Sequence, residues 1–181
     1  MDVVIIHGTF GCSDDNWFPW LKEKMEELGH NVYVPKFPTP ENQNKESWCE
    51  ALRNQAPIFG KDTIIVGHSL GAVMLLHILE VVSEPIAKSV FVSGFLEELG
   101  NEKFDILNSS FVNHNFDWKT INKNKGDAFV FHGNGDPYVP NEQAEKLGRN
   151  LNIEPTIIEN GGHLNTKAGF TKFEELLKSI T

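Results

Sequence analysis

Gly67-His68-Ser69-Leu70-Gly71 places a serine between two glycines, after the β-branched run Thr63-Ile64-Ile65-Val66 and ahead of a long apolar run. A Gly-x-Ser-x-Gly pentapeptide arises by chance in roughly one chain in fifteen of this length, so its surroundings decide its meaning. A strand before and a helix after are what a nucleophile elbow requires. The serine then sits on a sharp turn with its hydroxyl exposed, the glycines make room for crowded backbone, and the helix N-terminus beneath favours developing negative charge. The alternative is that Ser69 merely caps that helix through its side chain.

A serine hydroxyl becomes a good nucleophile only when a base takes its proton, and the base needs a carboxylate to fix its tautomer. In strand-turn-helix architectures of this kind the three follow one another as Ser, acid, His. Of the seven histidines, four follow Ser69. His77 lies in the helix that starts at the serine and points away, His114 sits in an irregular stretch as a solvated residue, and His132 ends a strand as a structural one. His163 remains, in the glycine-rich turn of Glu159-Asn160-Gly161-Gly162-His163. The acid is Asp136, which follows a strand through Gly133-Asn134-Gly135 and is backed by Pro137. Its competing reading is a turn-forming aspartate before proline; Asp127 starts the same strand at the wrong end of the sheet.

Such a triad also needs N–H donors for the oxyanion of a tetrahedral intermediate, one from the residue after the nucleophile and one from a loop after an earlier strand. The first falls to Leu70. The second falls to Thr9, with Phe10 as its alternate, in the loop after Val3-Val4-Ile5-Ile6-His7-Gly8.

The elements that must position these residues follow from hydrophobic period. Short β-branched runs at 3–6, 31–35, 62–66, 89–93, 128–132 and 155–159 alternate with helical patterns from Trp17 to Gly29, at 45–55, from Ser69 to Val82, from Asn141 and at the C-terminal end. Alternation of this kind builds βα units, hence a parallel sheet sandwiched between helices: an α/β/α three-layer fold with six strands in the order 2-1-3-4-5-6. Residues 95–126 break the rhythm; they are too long for an ordinary connection, lack a clean period, and leave room for a short helix or two but not a cap domain.

Composition bounds the rest. A length of 181 residues with 40% hydrophobic content fits one domain, 1–181, burying roughly 70% of its unfolded surface. A formal charge of -9, with no basic cluster, disfavours nucleic acid and anionic membrane. The apolar run near the start is four residues long, short for a signal core or a membrane span, which gives the expectation of a cytoplasmic protein. Cys12 and Cys49 lack metal or redox spacing, and no phosphate loop or metal cluster points to a cofactor.

The motifs together resemble the α/β-hydrolases, and among them the small serine hydrolases of the YdeN and retinoblastoma-binding-protein type. His7 to Leu21 resembles the family's oxyanion loop and tryptophan-bearing first helix, "GHSLGA" its elbow, "GDPYVP" its acid turn and "GGHLNTKAGF" its histidine turn. The resemblance implies a minimal sheet without the N-terminal antiparallel strands of larger hydrolases, Ser69, Asp136 and His163 as triad, and esterase-like activity on small acyl substrates. A dehalogenase would carry Asp, and a dienelactone hydrolase Cys, in place of Ser69. A protein-interaction module on the same scaffold is the alternative, but "ESWCEAL" lacks the leucine of the Leu-x-Cys-x-Glu docking pattern. Position along the chain assigns the substrate pocket to Phe10, Cys12, Trp17, Trp118 and Tyr138, an apolar and shallow site without a charged anchor, suited to short neutral acyl esters or thioesters.

Overall fold

The computed structural model describes residues 1–181. Six strands, β1 (Asp2–Ile6), β2 (Asn31–Tyr33), β3 (Thr63–His68), β4 (Lys88–Val92), β5 (Asp127–Gly133) and β6 (Thr156–Ile158), form one sheet in the order β2-β1-β3-β4-β5-β6. Every pairing is parallel, as expected. Side chains alternate across a strand, and the sheet accordingly feeds two cores. Val4, Ile6 and Ile65 face one together with α2 (Lys45–Gln55), α3 (Leu70–Val81) and α6 (Asn141–Leu151). Val3, Ile5 and Ile64 face the other, with α1 (Phe18–Glu27) and α7 (Glu174–Ile180). These are the three layers, and α3 is their axle: all ten residues from Leu70 to Leu79 are buried, which is why its sequence is apolar all round rather than striped.

Three boundaries differ from the sequence reading. The edge strands β2 and β6 are shorter than 31–35 and 155–159, because each pairs on one side and is bounded by Pro35 or Pro155, which have no N–H to extend a ladder. The last helix begins only at Glu174. Gly169, at φ 89°, closes a 3-10 turn over Thr166–Ala168 that Asn165 caps, so the chain turns once before α7 starts. The irregular stretch contains two helices, α4 (Glu102–Val112) and α5 (Trp118–Asn124), the short helices for which residues 95–126 leave room.

Candidate active site

Ser69 stands between β3 and α3 at φ 57° and ψ -120°. A non-glycine residue reaches that backbone region only when its surroundings force it. Here they do: the Ser69 N–H is held by the Val92 carbonyl at 2.8 Å, and a Cβ at Gly67 or Gly71 would strike backbone, of α3 in the first case and of the end of β1 in the second. The side chain makes no capping bond to α3. The helix-cap reading of Ser69 therefore fails, and the hydroxyl is left facing a cleft.

His163, in the turn after β6, lines the same cleft. Its Nδ1 is 2.7 Å from Asp136 Oδ2. Since a carboxylate can only accept, Nδ1 carries the proton and Nε2 keeps a lone pair. The other Asp136 oxygen accepts the Tyr138 and Val139 amides at 2.8 and 3.0 Å, so the turn that Pro137 stiffens also aims the carboxylate. Burial raises the Asp136 pKa, but the His163 contact and the two amides outweigh it and hold the group below the usual carboxylate range. Asp136 is thus charged at every pH where the fold is at its strongest.

Two donors that the sequence reading did not use fix the histidine turn. His68, inside the pentapeptide itself, donates Nε2–H to the His163 carbonyl at 2.9 Å, and Trp17 donates Nε1–H to the Leu164 carbonyl at 2.9 Å. Burial pushes the His68 pKa down to about 3, which keeps the ring neutral and its single Nε2 proton committed to that bond. His132 is buried in β5 with neither ring nitrogen hydrogen-bonded, consistent with a space-filling residue behind the site.

The loop after β1 comes within contact of the serine. A Cβ on Gly8 would lie 2.8 Å from Ser69 Cβ, so glycine is what allows this approach. The Phe10 N–H is taken by Thr39 Oγ1 at 2.8 Å, whereas the Thr9 N–H has no acceptor within the protein. The Thr9 side chain is tied back: its hydroxyl donates to Asn108 Oδ1 at 2.7 Å and accepts from Gln43 Nε2 at 3.1 Å. Gln43 and Asn108 thereby brace this loop from α4 and from the segment before α2.

The cleft has a volume of about 770 Å³. Of the five residues assigned to it by position, Phe10 and Tyr138 line it, and Tyr138 packs edge-on against His163 at 5.0 Å between ring centres. The other three do not. Trp17 is 0% exposed, packed against Phe18, Phe173 and His68 in the core, because its indole N–H is needed by the Leu164 carbonyl. Trp118 opens α5 and packs with Phe116 on the far core. Cys12 is exposed outside the lining, with its N–H turned to Asp15 Oδ2 at 2.8 Å. In their place α4 supplies Phe104, whose ring contacts Phe10 at 5.6 Å, and Asn108. The wall is more apolar than polar by area, as expected, but Asp14, Asp15 and Lys167 add charge to it. The expected site without charge is corrected accordingly; α4 lies in the stretch without a clean period, and Asp14, Asp15 and Lys167 lie in turns, which have no period to read.

A serine hydroxyl and a histidine that a carboxylate holds in one tautomer line one cleft, and these are parts that acyl transfer uses. Comparison with known proteins points the same way. The family model described as "Serine hydrolase" matches residues 3–181. The protein YdeN of Bacillus subtilis (strain 168) is 28% identical over 181 residues, covering 99% of this chain and 94% of the relative. The serine hydrolase RBBP9 of Rattus norvegicus is 23% identical, covering 98% and 92%. The crystal structure of the B. subtilis ydeN product superposes with a TM-score of 0.88 at 25% identity, over 99% of this chain and 96% of that one. Est1E from Butyrivibrio proteoclasticus, 16% identical, shares the fold with a TM-score of 0.70 over 99% and 89%. With a matching family model across nearly its whole length and the same α/β-hydrolase sheet, the chain belongs to the serine hydrolase family.

Proposed function

We propose that this hydrolase is a carboxylesterase or thioesterase that uses Ser69 as nucleophile, His163 as general base and acid, and Asp136 as the group that orients His163. The observation that carries the reading is the continuous chain from the Asp136 carboxylate through His163 Nδ1 to a ring whose free nitrogen shares a cleft with an uncapped serine hydroxyl. In the forward step His163 Nε2 takes the Ser69 proton as Oγ adds to the substrate carbonyl. The oxyanion is met by the Leu70 and Thr9 N–H groups, Leu70 because it opens α3 beyond the reach of helical acceptors and Thr9 because its N–H has no acceptor in the protein. His163 then passes the proton to the leaving alcohol or thiol, and water, activated by the same ring, releases the acid from Ser69.

The lining supports small, uncharged acyl groups. Phe104 and Tyr138 narrow the cleft against long chains, and Asp14 and Asp15 outweigh Lys167, so an anionic acyl group meets like charge. A panel of p-nitrophenyl esters tests this: rates should fall from acetate or butyrate towards palmitate and vanish in Ser69→Ala. A preference for long chains would overturn the substrate class, and activity retained in Ser69→Ala above about a tenth of wild type would overturn the nucleophile. Because the carboxylate of Asp136 is held below the usual carboxylate range, it should add no ionisation of its own to the kcat/KM profile near neutral pH.

A further inference from the structure

Eleven residues along α3 from Ser69, about 16 Å away at helical rise, a second cluster of titratable groups has no part in this chemistry. His77 and Glu80 stand one turn apart on α3 and meet His114 of the connection between α4 and α5. The His77 ring is buried, and its Nε2–H donates to the Phe111 carbonyl at 2.8 Å, so Nδ1 holds the lone pair. That lone pair faces Glu80 Oε2 at 3.7 Å. Two acceptors oppose each other there with no proton between them. Glu80 is oriented as well: its Oε1 accepts the Asp117 N–H at 2.7 Å, which leaves Oε2 for the cluster. His114 Nε2 approaches the same oxygen at 2.8 Å from the other side.

We propose that His77 Nδ1, Glu80 Oε2 and His114 Nε2 bind one divalent transition-metal ion of the zinc class, with water as fourth ligand. One atom from each residue lies within 4.8 Å of the other two. In a tetrahedral shell with bonds of about 2.0–2.1 Å, neighbouring ligand atoms are about 3.3–3.5 Å apart, and the separations of 2.8 and 3.7 Å bracket that value. The adjustment falls on His114, whose side chain is 31% exposed, while His77 stays in place. The ring proton on His114 Nε2 passes to solvent as the metal takes its site. Two imidazoles and one carboxylate suit zinc and its neighbours rather than magnesium or calcium, which demand oxygen. The Phe111 carbonyl and the Asp117 amide then play the supporting part usual around such sites, holding the ligands' other atoms in orientation. A bound ion would tie α3 to the connection that follows α4.

Titrating metal-stripped protein with zinc chloride by calorimetry, and with cobalt(II) by visible absorption, tests the site. The expected result is one equivalent bound with Kd below about 10 µM, the absorption bands of tetrahedral cobalt, and a Tm raised by about 5–10 °C at a hundredfold excess over Kd. His114→Ala removes a surface ligand, and Glu80→Gln keeps an acceptor for the Asp117 amide while losing the anionic oxygen. Each should weaken binding on the order of 100-fold and leave ester hydrolysis by the metal-free protein unchanged. No binding in that range, binding that survives both substitutions, or binding lost in His163→Ala and so located in the Ser69 cleft, would each overturn the proposal.

Discussion

The centre of the sheet and the stretch from Phe95 to Gly126 hold their residues by different means. At the centre, every one of these contacts has backbone on at least one side: Ser69 is pinned by the Val92 carbonyl, by the glycines on either side and by Gly8, and the histidine turn is held at two successive backbone carbonyls by the His68 and Trp17 side chains. In the stretch, α4 is attached to the cleft by side chains, through Asn108 to Thr9 and Gln43 and through Phe104 to Phe10. Contacts that involve backbone tolerate no change of register, whereas contacts made by side chains on both sides can be altered one residue at a time. The centre is therefore suited to the reaction and the stretch to the choice of substrate.

If that division is right, the largest effects belong to the centre. Ser69→Ala and His163→Ala should each reduce turnover on the order of 10⁴- to 10⁶-fold, and Asp136→Asn on the order of 10⁴-fold, with thermal unfolding nearly unchanged in Ser69→Ala. Trp17→Phe comes next. It keeps the aromatic volume but leaves the Leu164 carbonyl buried without its donor at 2.9 Å, so stability should fall by about 1–3 kcal/mol, and kcat should fall about tenfold as the histidine turn loosens. An unchanged kcat would remove Trp17 from the positioning of His163.

A smaller effect follows from pH. The His68 pKa is about 3 in the fold against an ordinary 6.5, so between these values the unfolded chain binds a proton that the folded chain refuses. Stability is then full above about pH 6.5 and is lost as pH falls towards 3. Buried His77, pushed down to about 4, and His7 and His132, also lowered by burial, act with the same sign, and Asp136 adds its loss as pH falls through the usual carboxylate range and below it. Melting curves at pH 6.5 and 4.5 should differ by about 5–10 °C. His68→Asn, which removes the titration, should narrow the gap.

The smallest effect belongs to the stretch. Phe104→Ala opens the wall between Phe10 and Tyr138 and should shift the ratio of acetate to octanoate hydrolysis about three- to tenfold towards the longer chain, with little loss on acetate. A loss of all activity instead would place α4 in the reaction itself.

The same contrast explains what could be read from the sequence. The sheet order, the elbow and the acid and histidine turns announce themselves because backbone constraint writes itself into glycines, prolines and β-branched runs. Gly67, Gly71 and Pro137 each mark a local requirement. Trp17 was misplaced because an aromatic residue near a site looks the same in sequence whether it faces the ligand or donates a hydrogen bond behind it. Phe104 and Asn108 were missed because α4 is attached by long-range side-chain bonds, Thr9 to Asn108 spanning 99 residues, that leave no local pattern. His77 and His114 were set aside for the same reason: Glu80, which unites them, is one turn from the first and 34 residues from the second.

The central claim is that Ser69 Oγ forms the covalent intermediate. Mass spectrometry of the protein after reaction with a fluorophosphonate, followed by peptide mapping, tests it most directly. One adduct per chain is expected, on the peptide containing Ser69, absent in Ser69→Ala and strongly slowed in His163→Ala. An adduct on another residue, or labelling of Ser69→Ala at the wild-type rate, would contradict it.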